Sequence, residues 1–113
     1  MWRDLAWVLG MLQASRKALE YVRDLNEEQF RASSLHQDAV LRQLTIIGEA
    51  AKRVSAEFRS SHPEVPWRQI SGFRDVVVHD YSRVDLREVW RIIQGDLSAL
   101  VTLLEPIVPP EEA

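Results

Sequence analysis

Apolar residues recur at helical spacing over most of this chain. From about Asp4 to Asp24, Leu5, Val8, Leu9, Leu12, Leu19 and Val22 fall mostly three or four apart, which gathers them into one stripe of a helix. Asp24-Leu25-Asn26 breaks the pattern. Asn26, followed by Glu27, Glu28 and Gln29, has the form of an N-cap with acids in the first turn, and predicts a short helix ending near Ser33. Val40, Leu44, Ile47, Ala51, Val54 and Phe58 then recur at four, three, four, three and four, which predicts one long helix from about Ser34 to Ser60. Gly48 lies inside it, at a cost of roughly 1 kcal/mol relative to Ala, and suits the close approach of a neighbouring helix.

The stretch from Ser61 to Pro66 reads as a connector, with Pro66 placed to open a short helix, Trp67 to Ser71. Gly72 separates this from Phe73–His79. Val76, Val77 and Val78 in a row have strand propensity. The run is short and has no partner strand elsewhere, so it predicts a buried helix. The last helix begins near Asp85, with Ser82 or Asp85 as cap. Its stripe is Leu86, Val89, Trp90, Ile93, Leu97, Leu100, Val101 and Leu104. Pro106 ends it, and residues 106–113 predict a frayed Pro/Glu tail. The expected architecture is all-α: a four- to five-helix up-down bundle forming a single domain over residues 1–113.

Composition narrows the classes of function. At 113 residues, 46% apolar and 27% charged, the chain has the makings of one packed domain. It has no Cys, which excludes disulfides, thiolate metal sites and thiol nucleophiles. No run approaches about 18 uninterrupted apolar residues, the length a membrane span requires. The N-terminus makes a poor signal peptide, and the expected location is the cytoplasm. A net charge of −3 counts mildly against a general nucleic-acid binder. The 14 Lys and Arg still leave room for a local basic groove.

One segment is chemically loaded: Arg74-Asp75-Val76-Val77-Val78-His79-Asp80-Tyr81. Arg74 and His79 are five apart, about 140° around a regular helix, so they do not share a face. A long Arg side chain still reaches toward the imidazole. Asp75 lies four before His79 and is placed to accept its ring N–H. These residue types suit phosphodiester cleavage without a metal. His takes a proton from a 2′-hydroxyl or returns one to the leaving oxygen. Arg offers a fixed cation to the charge that develops at phosphorus. One His per chain is thin for both acid and base, and a two-fold dimer would supply a second. Arg-x4-His is nevertheless a weak motif. Spacing alone favours a structural reading, with Arg74 paired to Asp75 or Glu49 and His79 closing a helix.

A wider pattern changes that balance. Ile46-Ile47-Gly48-Glu49-Ala50-Ala51, Val65-Pro66-Trp67, Ile70-Ser71-Gly72, Phe73-Arg74-Asp75, His79-Asp80-Tyr81 and Val89-Trp90-Arg91-Ile92-Ile93 together resemble the HepT-like family of HEPN-superfamily ribonuclease toxins. The likeness is collinear from Asp4-Leu5 to about Leu104. It implies an all-α bundle that forms a two-fold homodimer, and metal-free endoribonuclease activity without a cofactor. It places the catalytic pair on Arg74 and His79, in a cleft at the dimer interface, and Asp75 fits the polar position after the Arg; Asp75, Glu49 and Asp80 are the expected supporting residues. It implies an RNA substrate, tRNA or mRNA. It also implies a type VII toxin–antitoxin system, in which an MntA-like minimal nucleotidyltransferase antitoxin transfers AMP to Tyr81.

Other residues are weaker candidates. Glu49, in an apolar run, needs a partner or water, either as a structural ion pair or as the group that orients Arg74. His36 and His62 flank helix ends, are expected to be exposed, and form no metal-binding pattern. Trp2, Trp7, Trp67 and Trp90 have the faces to stack on bases, but Trp90 lies on a core stripe. Ser71 has no base beside it. Two alternatives to a ribonuclease stay open: a catalytically silent module that binds a nucleotide or docks a nucleotidyltransferase, and a plain helical dimerisation domain.

Overall fold

The computed structural model describes residues 2–73, 75 and 84–110, and all regular structure among them is helical. In chain order the helices are α1 (Trp2–Tyr21), α2 (Glu27–Arg31), α3 (Ser34–Arg53), α4 (Ala56–Ser61), α5 (Trp67–Ser71), α6 (Leu86–Arg91) and α7 (Leu97–Leu104). A π-helical turn, Ile92–Asp96, joins α6 to α7.

Helix α1 packs against both α3 and α7. Near its start, Asp4 bonds to Ser55, beyond the end of α3. Leu5 there lines one pocket with Ile107, beyond α7. Near its other end, Leu19 and Val22 line a groove with Trp90 and Ile93. Both α3 and the α6–α7 rod therefore run antiparallel to α1, the up-down order that short connections favour. Val8, Met11 and Leu12 of α1, Val40, Leu44 and Ile47 of α3, and Leu97, Leu100 and Leu104 of α7 make the core between them. Gly48 is buried on α3. Helix α2 begins as expected: Asn26 accepts the Gln29 N–H at 2.8 Å, and the Gln29 side chain accepts the Asn26 N–H at 2.9 Å. Its Phe30 is wholly buried against Trp90, with ring centroids 5.4 Å apart.

The structure departs from the sequence pattern in three places. The long helix predicted over 34–60 breaks at Val54, whose ψ of 135° leaves the helical region. The cause is a polar corner. The Asp4 carboxylate takes the Ser55 N–H and the Ser55 hydroxyl, each at 2.8 Å. The same hydroxyl accepts the Phe58 N–H at 3.1 Å and so starts α4. Two bonds to a carboxylate replace one intrahelical bond.

The last helix is interrupted by the π-turn. Val89, Ile93 and Leu97, spaced four and four, lie on the predicted stripe. All three stay buried across the turn, at 0%, 1% and 0% exposure, and Ile92 within it is buried as well. Finally, the segment after Pro106 is docked further than expected. Ile107 packs on the core and Val108 is buried among its residues.

Candidate functional site

Arg74, His79, Asp80 and Tyr81 lie outside the described residues. The structure does describe what holds the two ends of their segment, and two of the supporting residues, Asp75 and Glu49.

The segment is entered from α5. Pro66 precedes that helix, and Trp67 fixes it: the indole N–H donates to the His62 carbonyl at 3.0 Å, and the ring meets Phe58 edge-on at 6.4 Å. Trp67, Ile70 and Phe73 are all buried, so the apolar face of α5 continues past its end. Gly72 allows that continuation. A Cβ at this position would lie 3.2 Å from the Gln69 carbonyl oxygen, tighter than side chains ordinarily tolerate. The Gly72 carbonyl in turn accepts the Asp75 N–H at 3.0 Å. Phe73 and Asp75 both carry helical backbone.

The segment leaves into α6. Val84 packs on the core, and the Asp85 carboxylate accepts the N–H groups of Arg87 at 3.1 Å and Glu88 at 3.2 Å. Asp85 is thus the cap, of the two residues that the sequence offered. The loaded segment is strung between two fixed points, Phe73 and Val84.

Asp75 is exposed and faces α3. Its carboxylate lies 3.9 Å from Lys52 Nζ, with the two side chains 63% and 43% exposed. A pair so wet contributes less than about 1 kcal/mol. It does place the α3 face that carries Lys52 beside the start of the motif. Glu49, half-buried, sits one turn before Lys52 on that face. The expected bonds of Asp75 to His79 and of Glu49 to Arg74 end on residues outside the described set. Lys52 was not singled out from the sequence. Its only signal is its place three residues after Glu49.

His36, His62, Trp7 and Trp90 among the weaker candidates have structural partners. His36 and His62 are half-buried rather than exposed. His36 Nδ1 lies 2.6 Å from the Ser33 hydroxyl that caps α3. His62 rests on Phe58 at 4.6 Å and pairs with Glu64 at 3.4 Å. Trp7 carries the Arg53 guanidinium over its ring at 5.3 Å, and Trp90 stacks on Phe30. Trp2 is 77% exposed. Among the described residues no group of three or more His, Asp or Glu is arranged to hold a metal ion, and no helix is long and apolar enough to cross a membrane.

Residues 11–107 match the family model described as Ribonuclease HepT-like. A probable ribonuclease HepT of Thermococcus cleftensis is 40% identical over 81 residues, which are 72% of this chain and 74% of the relative. A candidate RNase of Caldanaerobacter subterraneus subsp. tengcongensis is 34% identical over 102 residues, 90% of this chain and 91% of the relative. Another, from Methanocaldococcus jannaschii, is 31% identical over 96 residues, 84% and 88% of the two chains. No solved structure matches the chain. With the family model spanning the chain from Met11 to Ile107, the motif segment included, the chain belongs to the HepT-like ribonuclease family.

Proposed function

We propose that this protein is a metal-independent endoribonuclease whose cutting pair is Arg74 and His79, acting as the toxin of a type VII toxin–antitoxin system. The reading rests on one observation above all: Arg74, His79 and Tyr81, in the Arg-x4-His-x-Tyr pattern that carries the resemblance, lie inside the region that matches the ribonuclease family. The chemistry is balanced without a cofactor. An imidazole takes the proton of the ribose 2′-hydroxyl, and the 2′-oxygen bonds to phosphorus. The bond from phosphorus to the 5′-oxygen breaks, and that oxygen is protonated by an imidazolium. Arg74 holds the charge on the non-bridging oxygens throughout. The products are a 2′,3′-cyclic phosphate and a 5′-hydroxyl end. Because one chain offers one motif histidine, the second proton carrier comes from a two-fold partner.

Tyr81, two residues from His79, is read as the control point. A nucleotidyltransferase antitoxin joins the Tyr81 oxygen to the α-phosphorus of ATP, with pyrophosphate leaving. The added AMP brings bulk and negative charge next to Arg74, which blocks RNA and occupies the cation.

The experiment has two arms. Purified protein cuts RNA to cyclic-phosphate ends, and His79→Ala, folded by circular dichroism, loses about 100- to 10,000-fold in rate. Incubation with the antitoxin and ATP adds AMP mass to the tryptic peptide of Tyr81 and silences cutting. Full cleavage by folded His79→Ala removes the catalytic reading. An unmodified Tyr81 removes the control reading alone.

A further inference from the structure

Helices α4 and α5 leave between them an open groove of about 550 Å3 that the Arg74–His79 chemistry does not use. Arg59, Ser60, Arg68 and Ser71 line it, with Trp67 at 8% exposure forming part of its wall. Its lining among the described residues includes two arginines and two serines and no carboxylate.

Elsewhere Arg16, Arg31 and Arg91 each rest on a carboxylate. Arg59 and Arg68 make no such pair among the described residues. The Arg59 Nε is moreover buried with no acceptor within hydrogen-bond reach. Net charge makes this local arrangement more telling. In a chain of −3, a groove whose charged lining among the described residues is two arginines is a concentration of one sign against the average.

Guanidinium and hydroxyl donors in a fixed wall are the groups that recognise phosphate oxygens. The wall is fixed because Trp67, bonded to the His62 carbonyl, holds α5 in place. An open groove with two separate cations suits a chain of phosphates running along it. Ser71, at one edge, stands three residues before Arg74 in the same run of chain.

We propose that the groove between α4 and α5 binds the phosphodiester backbone of the RNA substrate beside the scissile bond, with Arg59 and Arg68 each taking one phosphate. This rests on the ribonuclease reading above and extends it to how the substrate is held.

The test is fluorescence anisotropy with a labelled 2′-O-methyl RNA, which has no free 2′-hydroxyl to attack and so is not cut. Arg59→Gln with Arg68→Gln is expected to weaken binding about tenfold. It also lowers the slope of log K against log salt by about 1.4, roughly 0.7 for each phosphate of a single strand that the protein ceases to neutralise. Arg59 is half-buried, so Arg68→Gln alone, at an exposed position, serves as the second variant. Its expected slope change is about 0.7. Arg59→Lys with Arg68→Lys keeps the charge and falls between. If the unsubstituted protein binds the RNA and the Gln variants match it in affinity and slope, the groove assignment is wrong while the ribonuclease reading stands. If the unsubstituted protein binds no RNA, both fall together.

Discussion

Phe73, 3% exposed, sits in the core directly ahead of Arg74, while Asp75, directly after it, is largely in water. Phe73 is thereby an anchor at the entry to the motif segment. Phe73→Ala is expected to cost about 3–5 kcal/mol of unfolding free energy, since a buried ring leaves a cavity that the helices fill only in part. Asp75→Ala is expected to change stability by less than about 0.5 kcal/mol, because its contact with Lys52 is long and wet. Urea titration of both variants checks the contrast. A Phe73→Ala protein as stable as its parent would mean that the ring is not the anchor. Lys52 shows what a sequence hides at this scale. Its partner Asp75 is 23 positions away along the chain, and nothing local marks the pair.

At the scale of elements, the three-and-four spacing of Leu5 to Val22 and of Val40 to Ala51 was enough to find α1 and α3, because each buries one stripe of its own. The break between α3 and α4 was not legible. Val54 and Phe58 stay in register with the stripe and are both buried, and the group that breaks the helix, Asp4, is 51 residues away. The π-turn was not legible either, because Val89, Ile93 and Leu97, spaced four and four, also fit the apolar stripe of a straight α-helix. The Asp4 corner carries a pH signature. The Ser55 N–H, joined by its hydroxyl, holds the Asp4 carboxyl below its ordinary 3.8. A depressed folded value means that the stabilisation is fully present above pH 3.8 and is lost as pH falls through the lower value. Asp4→Asn is therefore expected to melt below the parent at neutral pH, with the gap in Tm closing under acid. A gap of constant size down to the acid transition would show that ionisation of Asp4 does not stabilise this corner.

For the whole molecule, what the sequence carried furthest was family membership, and what it left open was how many chains make one site. The blocks that gave the resemblance are spread from Ile46 to Ile93, so they report a shared core and motif more directly than any contact between copies. The helical bundle follows from the stripes, whereas a two-fold assembly depends on surfaces that periodicity does not distinguish from ordinary solvated faces. The proposed mechanism makes this quantitative. If acid and base are the His79 side chains of two chains, a dimer with one His79→Ala chain is inactive. Mixing equal amounts of parent and His79→Ala protein, with subunits exchanged at random, then leaves about a quarter of the activity of the same total amount of parent protein, the share of dimers with two intact chains. Should each chain cut alone, about half remains. The ratio separates the two cases without a structure of the dimer, and a value at one half would mean that a single copy of His79 serves as both acid and base.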